Sequence, residues 1–189
     1  MRSLIIRTIS GIVFLAVMLL ALLSGDWFEG GKYIFAAVMM FALVMMMAEF
    51  FRMTMGNVYK GSRVLAIVGA CVMFSVTFLV QSTEAVTGRF ITLAFIPLFI
   101  VMINSLYVKD KREFGMFSNI YTGILYIAVP WTLLNFTAFD SNHDFNGLVL
   151  LCMFIIIWVS DVGAYLFGST LGQKFGPKLF PTVSPHKSW

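Results

Sequence analysis

An all-α, polytopic membrane fold with about six transmembrane helices is predicted by three features of this sequence. The 189 residues are 60% hydrophobic and only 12% charged, with a mean hydropathy of +0.91. A soluble domain of that size cannot hide so much apolar surface. Charge-free windows of about 20 residues, the length that crosses a bilayer, recur along the whole chain. The basic residues lie in short connections between those windows and fall on alternate sides, which is the pattern of topology and not of a folded soluble surface.

The elements follow in order. Arg2 and Arg7 precede a first span at 8–24, which closes on Ser24 and Gly25. That outline is shared with a secretory signal, but the uncharged run is long for a signal core and further spans follow, so a retained helix is expected. Spans at about 33–48, 64–80, 90–108, 120–139 and 147–167 come next. The connections reach at most about fifteen residues and none carries a pattern that folds alone. Residues 1–189 therefore read as a single membrane domain, with 168–189 as a tail. Cys71 and Cys152 both fall inside apolar spans with no CxxC spacing, so they read as small buried side chains without a disulfide.

Orientation follows from counting. Arg2, Arg7, Arg52, Lys60, Arg63, Lys109, Lys111, Arg112, Lys174, Lys178 and Lys187 fall on one side and only Lys32 and Arg89 on the other. Lys and Arg in short loops stay cytoplasmic, so the amino terminus and the tail are both expected inside, at the inner (plasma) membrane of the cell. The formal charge of +4 forms no arm or stripe, which argues for anionic lipid headgroups and against nucleic acid.

Pro130 removes a backbone hydrogen bond from the fifth span and predicts a kink there. The methionines from Met39 to Met55 invite a Cu(I) reading because thioethers are soft ligands. They spread round the helix with no histidine or cysteine beside them, so packing is the better account. His143 stands between Asp140 and Asp144 in a loop expected to be floppy, with too few ligands for a metal. His186 is expected to be a solvated loop residue.

The chemistry concentrates between Ser160 and Trp189, SDVGAYLFGSTLGQKFGPKLFPTVSPHKSW. Asp161 places a carboxylate about six residues, or ~9 Å of helix rise, from the end of a helix otherwise suited to hydrocarbon. An unpaired charge there costs at least ~2.5 to 3.5 kcal/mol, so a divalent cation or cationic partner is expected to offset it. Ser160, Ala164, Gly168 and Gly172 recur every fourth residue and make a ridge of small side chains. Asp161, Tyr165 and Gly168 share the adjacent face. Beyond them, glycines and prolines that allow backbone N–H groups to converge accompany Lys178, Ser184, Lys187 and Ser188, a set suited to phosphate. Neither a Walker A loop nor GxGxxG is present. By spacing alone, a Gly- and Lys-rich juxtamembrane loop would look much the same.

These thirty residues resemble the first half of the signature region of phosphatidate cytidylyltransferases, the CDP-diacylglycerol synthases. That region runs S-D-x-G-A-Y-x-x-G and then G-x-x-K-L-x-P-x-I-S-P-x-K-T. Ser160, Asp161, Gly163, Ala164, Tyr165, Gly168, Gly172, Gly176, Lys178, Leu179, Pro181, Ser184, Pro185 and Lys187 fall on matching positions. Val183 and Ser188 stand where the family commonly has Ile and Thr. The family would continue beyond Trp189 into a second signature with further acidic residues, so the chain is expected to be an amino-terminal portion with negligible turnover of its own.

The resemblance implies transfer of a cytidylyl group from CTP to phosphatidate, giving CDP-diacylglycerol and pyrophosphate in phospholipid biosynthesis, with Mg2+. Asp161 would then be a metal ligand, and Lys178 and Lys187 would neutralise phosphate charge. Ser160, Tyr165, Gly168, Gly172, Ser184 and Ser188 would border the substrates. The implied partners are CTP, phosphatidate and membrane lipids, and a homodimer is an allowed assembly. Two alternatives stay open: a transporter or channel subunit with Asp161 lining an ion path, and a cytidylyltransferase for another lipid phosphate.

Overall fold

The computed structural model describes residues 2–27, 30–56, 58–86, 88–107, 111–168, 178–180 and 184–188, with backbone only at 2–8, 26, 111–114, 116, 178–180 and 184–188. Helices α1 (Arg2–Trp27), α2 (Gly31–Met55) and α3 (Lys60–Ser82) open the chain. A 3-10 segment, Gly88–Phe95, runs directly into α4 (Ile96–Leu106). Then α5 (Lys111–Gly123) continues through a π-helical turn, Ile124–Ala128, into α6 (Val129–Ala138). Helix α7 (Leu148–Phe167) follows, and two short strands, β1 (Lys178–Phe180) and β2 (Ser184–Ser188), form an antiparallel hairpin.

Five helical segments are long and apolar enough to cross a membrane: α2, α3, Gly88–Leu106, Phe117–Ala138 and α7. A shorter apolar stretch, Ile9–Gly25, lies within α1. All six expected spans therefore coincide with helices, and the fold is that of an all-α polytopic membrane protein. Two of those helices are not uniform, and in each the cause is a proline. Pro97 sits in the first turn of α4, the one place in an α-helix where its missing N–H costs no bond, so it marks where α geometry can begin. The chain accordingly stays 3-10 up to Phe95 and becomes α only beyond it. Pro130 likewise cannot donate, and the Val129 N–H reaches five residues back to the Ile124 carbonyl, a π turn. The irregularity that the sequence predicts at Pro130 is present as this widened turn.

The chain divides into two compact units, Met1–Val149 and Leu150–Trp189. In the first, α1 packs on α2, α2 on α3 and α5, and α3 on α6, α4 and the 3-10 segment. The α2 core is a single file, Phe35, Met39, Leu43, Met47 and Phe51, all fully buried. Because every fourth residue advances 400°, this file winds slowly round the helix and meets different neighbours along its length. Met45 and Met53 point outward at 55% and 71% exposure, so the methionines do spread round the helix.

Neighbouring crossings are tied end to end. Ser24 Oγ donates to the Gly31 carbonyl at 2.9 Å, Lys32 Nζ to the Ser82 carbonyl at 2.9 Å, and Ser62 Oγ to Asn104 Oδ1 at 2.8 Å. These bonds join the end of α1 to the start of α2, the start of α2 to the end of α3, and the start of α3 to the end of α4. Such ties require alternating directions, as the distribution of basic residues predicts. Gly31 and Gly147 approach the Ser24 and Leu22 carbonyls so closely that a Cβ at either would overlap backbone.

Residues 139–147 differ from the floppy loop expected. Phe139 and Phe145 pair as a β-bridge, and Asp140 Oδ1 accepts the Asn142 and Asp144 N–H groups at 2.9 Å each. His143 adopts φ 64° and donates Nδ1–H to the Gln81 carbonyl at 2.9 Å. The local reason is the Asp side chain, which closes its own turn; the aromatic rings of Phe35, Phe78, Phe139 and Phe145 supply the rest.

Candidate functional site

The second unit carries every residue singled out for chemistry. Helix α7 is built from LVLLCMFIIIWVSDVGAYLF, in which uninterrupted aliphatic residues propagate the helix and Ser160 to Ala164 bring small side chains into its last turns. Ser160, Asp161, Ala164 and Tyr165 are all exposed, Tyr165 at 74%, and Gly163 and Gly168 are half-buried. A Cβ at Gly163 or Gly168 would meet nothing within 4 Å. The expected ridge Ser160, Ala164, Gly168 is therefore open along its described length; its last member, Gly172, lies outside the described residues.

Asp161 makes no hydrogen bond or ion pair among the described residues, in contrast to Glu49, whose carboxylate meets Arg52 at 2.5 Å. No group of three or more His, Cys, Asp or Glu stands close enough to hold a metal among the described residues. An open, single carboxylate is nevertheless compatible with Mg2+, which uses one or two carboxylates together with waters and substrate phosphates. Asp161 fits as one hard oxygen ligand, not as a complete site.

Lys178, Ser184, Lys187 and Ser188 lie in the hairpin. Its backbone register pairs Lys178 with Ser188 and Phe180 with Ser184, with an irregularity between the two pairs. Lys178, Lys187 and Ser188 thus share the open end of the hairpin, on strands that run about 4.8 Å apart, while Ser184 sits at the turn end. Two lysines nine positions apart in sequence become neighbours on the backbone. The sequence reading anticipated turns here and not strands, because three and five residues are too few to display an alternating pattern.

Sequence reasoning also missed a buried polar contact in the first unit. Asn135, fully buried, donates Nδ2–H to Thr77 Oγ1 at 2.9 Å, bonding α6 to α3, and its Oδ1 has no partner among the described residues. An amide within WTLLNFTAF was the available signal.

Comparison with known proteins agrees in direction. The model of the family described as "Cytidylyltransferase family" matches residues 5–189. A phosphatidate cytidylyltransferase of Staphylococcus haemolyticus is 22% identical over 97% of this chain and 64% of its own length. One of Staphylococcus epidermidis is 23% identical over the same shares, and one of Rickettsia bellii is 37% identical over 35% of this chain and 26% of its own. The chain thus spans 64% of the length of the staphylococcal relatives it matches end to end. No solved structure matches.

Proposed function

From the premise that this chain belongs to the cytidylyltransferase family, we propose that it serves the transfer of a cytidylyl group from CTP to phosphatidate. The products are CDP-diacylglycerol and pyrophosphate. The observation that supports this most directly is the lone exposed carboxylate of Asp161 at the end of an apolar helix, inside the residues the family matches and followed by a hairpin that carries two lysines.

In this reading a phosphate oxygen of phosphatidate attacks the α-phosphorus of CTP, and the bond to the pyrophosphate oxygen breaks in line. The attacking phosphate is already anionic, so no general base is needed. Asp161 would hold Mg2+, which would supply charge neutralisation on the phosphate oxygens. Lys178 and Lys187 balance the negative charge that accumulates on the leaving pyrophosphate. Ser184 and Ser188 donate hydrogen bonds to phosphate oxygens. Ser160 and Gly168 leave room for the substrates beside the helix, Gly172 would border them, and Tyr165 anchors that end at the membrane surface. The site opens to the cytoplasm, where CTP is, from the inner (plasma) membrane. Residues 1–189 by themselves are expected to turn over negligibly, since Asp161 supplies one hard oxygen ligand and not a complete Mg2+ site.

The test follows labelled CTP into CDP-diacylglycerol in a longer form of the protein that carries residues 1–189 unchanged. Turnover should require Mg2+ and phosphatidate, and Asp161→Asn should lower it on the order of a hundredfold. Undiminished turnover in that variant removes Asp161 from the reaction, and synthesis by purified 1–189 overturns the statement about the isolated chain.

A further inference from the structure

A groove of about 300 Å³ lies between α3 and the segment formed by the 3-10 helix and α4. It belongs wholly to the first unit and takes no part in the proposed chemistry. Its two walls are Leu65, Val68 and Val72 on one side and Leu93, Ile96 and Ile100 on the other. Its floor is the contact of Gly69 with Pro97, both buried, where a Cβ on the glycine would come within 2.8 Å of the proline Cβ. The walls stay apart because of the change in helix type. Leu93 lies in the last turn of the 3-10 segment and Ile96 opens α4, so this wall crosses the change in helix type, ahead of which residues three apart eclipse instead of winding towards α3. The helices already touch at the floor, so the groove cannot close by moving them together.

The shape selects a linear apolar occupant. From Leu65 to Val76 the groove follows α3 for about 16 Å, and half of a bilayer's hydrocarbon is about 15 Å. The groove begins two residues beyond Arg63, where the apolar part of α3 starts. One end is therefore polar and basic. The Ser62–Asn104 hydrogen bond closes it. Lys60 is exposed there, Arg63 bonds the Gly56 carbonyl, and neither base meets a carboxylate among the described residues.

We infer that this groove is a binding site for one acyl chain of an anionic glycerophospholipid from the leaflet that meets Lys60. The headgroup would sit against Lys60, Arg63 and the Ser62–Asn104 pair. The inference does not depend on the proposed cytidylyl transfer, and its test requires no CTP.

The chain is reconstituted in phosphatidylcholine bilayers containing phosphatidylglycerol with a photoreactive group on its acyl chain, and crosslinked positions are mapped by mass spectrometry. Labelling at Val72 and Ile100 should exceed that at Phe99, which lies at the depth of Ile100 and outside the groove, and the excess should be about fivefold larger for this probe than for a phosphatidylcholine probe labelled in the same way, the preference expected from one basic residue near the surface. Val72→Phe, which fills the groove, should remove the excess. Lys60→Gln, an exposed change that leaves the packing untouched, should lower it for the phosphatidylglycerol probe and not for a phosphatidylcholine probe labelled in the same way. Equal labelling of Ile100 and Phe99 in the unaltered chain overturns the groove as a site. An excess of the same size with the phosphatidylcholine probe overturns the anionic preference.

Discussion

Helices α3 and α7 have mean hydropathies of 2.3 and 2.2, yet 44% of the α3 span is buried and 6% of the α7 span is. In water such similar composition would force similar burial. In a bilayer it does not, because lipid tails are as apolar as a neighbouring helix, and association depends on close packing and polar bonds. Helix α3 has both. Gly69 admits Pro97, Ala66 and Ala70 are buried, and Thr77 holds Asn135. Helix α7 has small residues as well, but Gly163 meets nothing within 4 Å and Asp161 stands unpaired among the described residues. The first unit spends its small and polar residues on holding helices together; the second keeps them available.

The sharpest way to break that contrast concerns sidedness, where the effect is all or none. With Cys71 and Cys152 replaced by Ala, a cysteine at Lys60 or Gly168 should react with an impermeant maleimide only from the cytoplasmic side, and one at Arg89 only from the opposite side. Reaction of Lys60→Cys and Gly168→Cys from different sides would undo the alternation of crossings.

Next in size is the separation of activity from stability. Asp161→Asn, expected to cost on the order of a hundredfold in turnover, should leave the thermal unfolding midpoint of 1–189 in detergent unchanged, because no described partner is lost. A large drop in that midpoint would make Asp161 a structural residue.

A pair of identical substitutions then compares the two helices directly. Gly69→Ala should destabilise the bundle by about 1–3 kcal/mol, the cost of overpacking against a rigid proline ring. Gly163→Ala should be neutral or stabilise by up to about 1 kcal/mol, since alanine is the better helix former and has room. Reversible unfolding in mixed micelles measures both, and equal effects would erase the distinction. The smallest expected effect is at the buried amide: Asn135→Ala should cost about 0.6 kcal/mol, typical of one polar bond between membrane helices, reduced further by the acceptor that already lacks a partner.

The helices themselves were legible because the bilayer imposes a length, and residues such as Arg63, Lys32 and Arg89 mark where each apolar run must stop. The candidate site was legible in part. Asp161 is conspicuous as a carboxylate after sixteen uncharged residues, and the glycine and lysine spacing that follows it matches a known signature. The hairpin that brings Lys178 beside Ser188 was not readable, nor was the ordered Asp140 turn, nor the groove made by the 3-10 segment ahead of Pro97. Each depends on how one segment meets another.

By itself, then, the sequence determined where the long apolar helices lie and where Asp161 interrupts the last of them, since hydrocarbon thickness and charge cost act on residues one at a time. Only the tertiary structure decided which apolar residues are buried. Met39 and Met45 are chemically the same, but the first is enclosed and the second is 55% exposed, because a bilayer solvates both equally well and only the fit of neighbouring helices tells them apart.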